Sequence, residues 1–158
     1  MKEPLICSFF GHRDVDVTET LYDAVYKEVV RLLKKGVRIF YFGGLSDFDA
    51  LCNQIVQKIA AQNAQFCLKR VFVVAQERHL RKPPRWLKKE DYDEVIFLPL
   101  SFGGWYKSLY FRNCAMIDNS SSVVFFAQEC EGSGAYKALE YAKKKKGLEI
   151  VNLWGVDK

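Results

Sequence analysis

The chain has 158 residues, of which 49% are hydrophobic and 27% charged. That length and balance suit one folded domain with its own core and exclude a disordered chain. The formal net charge of +5 suits anionic ligands, nucleotides among them, but is too small to select nucleic acid as the partner.

No stretch approaches the ~20 apolar residues needed to cross a bilayer. Met1 to Pro4 shows no signal-peptide pattern, so the expectation is a cytoplasmic protein without a membrane partner. The five cysteines, Cys7, Cys52, Cys67, Cys114 and Cys130, are odd in number and contain no CxxC pair. Neither a disulfide framework nor a zinc site is expected from them. His12 and His79 are the only histidines, so no metal site is expected, and no resident cofactor. Cys7, Cys52 and Cys67 lie in apolar surroundings and are expected to behave as small core residues.

In chain order, Pro4 to Phe10 reads as a strand that stops at Gly11. Thr18 can cap a helix whose apolar stripe is Leu21, Ala24, Val25, Val29, Leu32 and Leu33, with Lys34, Lys35 and Gly36 as its stop. Val37 to Phe42 is a second strand, ending at Gly43-Gly44. Ser46 or Asp47 can cap the next helix, which carries Phe48, Leu51, Ile55 and Ile59 on one side. Val71 to Ala75 is a third strand. Gln76 to Asp93 then reads as a long basic loop, because Pro83-Pro84 excludes a helix interior. Glu94 to Leu98 is a fourth strand, a helix is expected from about Tyr106 to Asp118, and Ser122 to Ala127 is a fifth strand. A last helix begins near Ser133 and ends in Lys143 to Lys146, and Leu148 to Leu153 is a final strand.

Strands alternate with helices, and the strands are continuous apolar runs, as expected where both faces of a sheet are covered. The pattern predicts a single Rossmann-like α/β domain: a doubly wound, mainly parallel sheet of about six strands with helices on both faces. In such a sheet ligands settle outside the carboxyl ends of the strands. Three loops there look chemically prepared: Gly11-His12-Arg13, Gly43-Gly44-Leu45-Ser46-Asp47-Phe48-Asp49, and Glu131-Gly132-Ser133-Gly134-Ala135. Glycines let a ligand approach the backbone. A helix start offers free N–H groups to an anion. Ser133 can donate a hydroxyl hydrogen bond, and Arg13 or Arg112 can bind phosphate or carboxylate. Asp47 or Asp49 can accept from a sugar hydroxyl, and Asp49 can instead serve its helix start. His12 can contact phosphate or hydrogen-bond the turn, and Arg112 can instead pair with Asp118 or Glu131. The chain holds no GxGxxG and no P-loop sequence.

The stretches CSFFGHRDV, FYFGGLSDFDALC, RNCAMIDNSSSVVFF and GSGAYKALEYAKKKKGLEIVNL resemble, in that order, the SLOG superfamily. These are Rossmann-like proteins related to the DNA-processing protein DprA and to the cytokinin-activating LOG enzymes. The resemblance is to the compact single-domain members of bacteria and phages, and runs from about Leu5 to Leu153. It implies binding of a nucleotide or nucleotide-derived small molecule, such as an ADP-ribose-like ligand, for sensing or sequestration. Carried over, the ligand-binding residues would be Gly11, His12, Arg13, Gly43, Gly44, Ser46, Asp49, Arg112, Asn113, Gly132, Ser133 and Gly134. It also implies a homo-oligomer.

Two alternatives follow from the same resemblance. A LOG-like enzyme would hydrolyse a nucleoside monophosphate at its N-glycosidic bond, with Arg112 in the family's arginine position. The family's PGGxGTxxE loop is replaced by CEGSGAYKA, and its glutamate position falls on Ala138, so no catalytic carboxylate is assigned. A DprA-like protein would bind nucleic acid, with the basic loop from Arg78 to Lys89 as contact and Trp86 as a stacking platform. That loop is otherwise a solvated connection or a lid over an anionic ligand. Trp105, Tyr106, Tyr110 and Phe111 are expected in the core, in a dimer contact or as a wall for a nucleobase. Lys143 to Lys146 suit the dipole of a helix C-terminus.

Overall fold

The computed structural model describes residues 3–44, 46–99, 109–129 and 132–156. The expected roles of Leu45, Trp105, Tyr106, Cys130 and Glu131 fall outside the described residues. In chain order the elements are β1 (Leu5–Gly11), α1 (Glu19–Lys35), β2 (Val37–Phe42), α2 (Asp47–Gln62), β3 (Lys69–Val73), β4 (Glu94–Ile96), α3 (Leu109–Asp118), β5 (Ser122–Phe126), α4 (Gly134–Lys143) and β6 (Glu149–Asn152). The six strands form one sheet in the order β4-β3-β2-β1-β5-β6, and every neighbouring pair is parallel.

Alternation along β1 assigns its side chains to two cores. Cys7 and Phe9 join the core under α1 and α2, with Val25, Val29, Leu51 and Ile55. Phe10 joins the core under α3 and α4, with Met116, Ile117, Ala138 and Leu139. Helices therefore cover both faces. On the first face the Phe9 ring stacks on Phe40 and Phe42, at 5.8 and 5.3 Å. On the second, the buried Ser8 hydroxyl pairs with Ser120 Oγ at 2.7 Å, and Ser120 Oγ donates to the Met116 carbonyl at the end of α3.

The helix starts follow their capping residues. Thr18 Oγ1 accepts from the Leu21 N–H, Ser46 Oγ from the Asp49 N–H and Ser133 Oγ from the Tyr136 N–H. Gly36, at φ 106°, ends α1 in the left-handed conformation that a side chain disfavours. At the amino ends of the strands, Arg31 pairs with Glu28 and Glu149, and Lys35 with Glu149, tying α1 to β6.

Strand ends differ from those expected by one or two residues in β1, β3, β4, β5 and β6. β3 begins at Lys69, two residues early, because Lys69 lies opposite Ile39 of β2 and its ammonium pairs with Glu94 of β4 at 2.9 Å. An exposed strand start accepts such polar residues where hydrophobicity alone does not mark them. β4 ends at Ile96, whose carbonyl accepts the Val74 N–H at 2.9 Å. α3 is described from Leu109, and the expected start at Tyr106 lies outside the described residues. One core assignment is corrected. Cys67 is exposed, with φ 51°, in the turn after a 3₁₀ turn at Ala64–Phe66, and packs in neither core, whereas Cys7 and Cys52 are buried. The basic loop carries two further 3₁₀ turns, Glu77–Leu80 and Lys89–Asp91.

Candidate functional site

The strand order changes direction beside β1: β2, β3 and β4 follow on one side, β5 and β6 on the other. Loops leaving β1 and β5 must diverge there, and the divergence opens a cleft at the carboxyl ends of the strands. The cleft holds about 870 Å³, within the range of small-molecule sites. Every residue of the expected ligand set lines it except Gly132. Gly132 instead borders a shallower depression of about 510 Å³ between α3 and α4, with Tyr110, Tyr136 and Tyr141.

The glycines of two loops make room for the protein's own side chains. A Cβ on Gly11 would collide with Phe48, at the start of α2. On Gly43 it would lie 2.7 Å from Arg112 Cζ and 2.9 Å from Met116 Sδ, and on Gly44 2.7 Å from Asp49 Oδ2. The space that a ligand was expected to use at these positions is filled by Phe48, Arg112 and Asp49. Gly134 differs, since no described residue lies within 4 Å of its added Cβ.

His12 stands where β1 meets β5. Its backbone N–H donates to the Phe126 carbonyl at 3.2 Å, and its ring Nε2 accepts the Gln128 backbone N–H at 2.7 Å. An imidazole nitrogen that accepts carries no proton, so the proton sits on Nδ1, 3.4 Å from Ser133 Oγ. Burial lowers the His12 pKa below its ordinary value, which agrees with a neutral ring. The ring also meets the edge of Trp154, at 5.3 Å. Ser133 Oγ accepts from His12 Nδ1–H and from the Tyr136 N–H at 3.3 Å, which leaves its own hydrogen for an acceptor in the cleft. The Gly134 and Ala135 amides, at the first positions of α4, have no intrahelical acceptor. Arg13 is exposed at the rim, and its side chain makes no hydrogen bond or ion pair among the described residues. Its carbonyl accepts the Asp47 N–H at 2.8 Å, and Asp47 Oδ2 accepts the Val15 N–H at 3.0 Å. These bonds join the loop after β1 to the start of α2.

Arg112 comes up from α3 and is 5% exposed. One terminal nitrogen donates to the carbonyls of Gly43 and Val73, and Nε donates to Asn113 Oδ1 at 3.0 Å. The guanidinium therefore braces the ends of β2 and β3, and it is not paired with Asp118, which instead binds Tyr141 and Lys145 at 2.7 and 2.5 Å. Asp49, in the first turn of α2, is 6% exposed and lines the cleft. Burial pushes its carboxyl up to about 6, against the opposing pull of Arg112, the Ser46 side chain and the Gly44 amide. Its Oδ1 is buried and has no hydrogen-bond partner among the described residues. A buried acceptor left unmade costs about 1–3 kcal/mol.

The cleft thus has donors at one end, around Ser133, Gly134 and Arg13, and an acceptor deeper in, at Asp49. Its other end is aromatic. Trp86 and Pro84 line it with His79, all from the basic loop, and Tyr110 and Lys137 line it from α3 and α4. Lys137 was not expected there, and His79 only as part of the basic loop. The signal for the first group was a Trp and two prolines among cations just after a strand's carboxyl end. Lys137 shows only as a cation one turn into a helix that starts at the site. Two of the lysines that end α4 serve the fold: Lys143 lies near Glu129 and Glu140, and Lys145 caps the Tyr141–Asp118 pair. Among the described residues no group of His, Cys, Asp and Glu side chains could hold a metal ion. No described helix is long and apolar enough to cross a membrane. No family model matches the chain, and no curated protein matches it in sequence.

Proposed function

We propose that the cleft binds a nucleotide or nucleotide-derived small molecule, as a sensor or sequestering module. One observation carries this reading. Asp49 presents a buried, unpartnered carboxylate oxygen within the same cavity as the open start of α4. An anion at Ser133–Gly134 and a hydroxyl donor at Asp49 are the two ends of a sugar phosphate. Arg13 supplies the mobile charge at the rim. Arg112 holds the walls apart at a fixed distance and lends its charge to Asp49. The order of motifs that resembles SLOG proteins supports the same reading.

The test is thermal unfolding with nucleoside monophosphates and ADP-ribose, together with mass spectrometry of small molecules released from the purified, denatured protein. A ligand at a hundred times its Kd adds about 2.7 kcal/mol of stability. A ligand-dependent rise in Tm without product supports a binding module, and no rise with any of them overturns it.

A second reading rests on Asp49 alone. A carboxyl raised to about 6 beside a bound sugar is placed for hydrolysis of an N-glycosidic bond: water adds at C1′ and the base leaves with a proton. Free base released from a nucleoside monophosphate by the native protein, and not by Asp49→Asn, would establish it.

A further inference from the structure

We propose that the basic loop and the outer face of α2 form a base-recognition subsite for adenine. The proposal rests on the nucleotide reading above and gives the ligand its direction in the cleft. A second cavity of about 290 Å³ adjoins the first and shares Gly44, Ser46, Phe72 and Trp86 with it. The two cavities meet at the Trp86 ring. Trp86 is 46% exposed, yet its ring is propped edge-on against Phe72 at 5.8 Å, and Phe72 is backed by Tyr92 at 5.1 Å. A large ring held from behind and open in front is a stacking surface rather than a core residue.

Beyond Trp86 the second cavity is lined by carboxamides: Asn53, Gln54 and Gln57. Asn53 is committed, donating to the Asp91 carbonyl at 3.2 Å and accepting from Arg70. Gln54 and Gln57 are exposed, sit one turn apart on the same face of α2, and make no hydrogen bond among the described residues. A carboxamide donates and accepts side by side. That pattern complements adenine, whose amino donor lies next to a ring-nitrogen acceptor. With phosphate at Ser133 and sugar at Asp49, the base extends toward Trp86, and its polar edge reaches the two glutamines.

The experiment compares binding of adenosine 5′-monophosphate, guanosine 5′-monophosphate and ribose 5-phosphate by calorimetry. The native protein is expected to bind the adenine nucleotide at least about tenfold tighter than ribose 5-phosphate, and tighter than the guanine nucleotide. Trp86→Ala should lower its affinity about tenfold, and Trp86→Phe should retain most of it. Gln54→Ala with Gln57→Ala should abolish the preference over guanine. Equal affinity for ribose 5-phosphate, or a Trp86→Ala protein that binds as the native one does, overturns the subsite while leaving the anion-binding cleft standing. A preference for guanine overturns the assignment of adenine. If the native protein binds none of the three, the nucleotide reading itself falls, and this proposal with it.

Discussion

His12 Nε2 accepts the backbone N–H of Gln128 at 2.7 Å, so the loops after β1 and β5 are joined through a neutral imidazole. Protonation would place a hydrogen on Nε2 facing the Gln128 hydrogen, and the bond would be lost. The His12 pKa is lowered in the folded protein, so between that value and about 6.5 the unfolded chain binds the extra proton. Stability from this group is complete above pH 6.5 and falls as the pH drops below it. His12→Gln, which keeps an acceptor without titrating, is expected to lose less stability between pH 7.5 and 5.5, as read by urea unfolding. Equal losses would remove His12 as the source.

Asp49 works in the opposite sense. Burial raises its folded pKa to about 6, above the ~3.9 of an unfolded aspartate, so the folded state holds the proton over that interval. The native protein should lose up to about 3 kcal/mol relative to Asp49→Asn as pH rises from 4 to 7. The comparison requires denaturant unfolding of both proteins across that range. Asp49→Asn should also abolish nucleotide binding at neutral pH.

Gly11→Ala and Gly134→Ala separate packing from ligand access. The first forces a methyl into Phe48 and should cost at least about 1–3 kcal/mol. The second meets no described residue within 4 Å and should change stability by less than about 1 kcal/mol while weakening phosphate binding. Chemical unfolding and ligand titration of the two variants check both statements.

Arg112→Lys removes the planar fork that reaches Gly43 and Val73. An ammonium is a point donor and does not span both carbonyls with the same geometry. The expected loss is about 2–4 kcal/mol, with ligand affinity falling as the walls lose their spacing. Retention of both full stability and full affinity would contradict the bracing role.

Arg13→Ala and Ser133→Ala divide the anion end. Arg13 has no described partner, so its removal should leave the unfolding midpoint within measurement error and reduce the salt dependence of ligand binding. Ser133→Ala also removes the cap of α4 and should cost about 1 kcal/mol. Titration of each variant at low and high salt distinguishes the two contributions.

The apolar runs Ile6 to Phe10 and Val123 to Phe126 made the parallel sheet legible, since strands buried on both faces leave no polar alternation. The cap residues Thr18, Ser46 and Ser133 marked three helix starts correctly, because capping is a local bond within four residues. The expected site was legible as a set of loops, for strand polarity alone brings them to one edge. The function of each glycine was not. Gly11 and Gly43 read as ligand-facing, yet Phe48 and Arg112 arrive from elements 37 and 69 positions away, and periodicity says nothing about such long-range contacts. Lys69 and Cys67 failed for a related reason. A strand start and a left-handed turn are fixed by what lies opposite them, not by their own hydrophobicity.

Trp154 touches His12 at 5.3 Å and Phe126 at 5.0 Å, so the residues that follow the last strand steady the first turn of the chain. Cutting the polypeptide just before Trp154 would strip the imidazole of its neighbour although every loop around the cavity stayed intact.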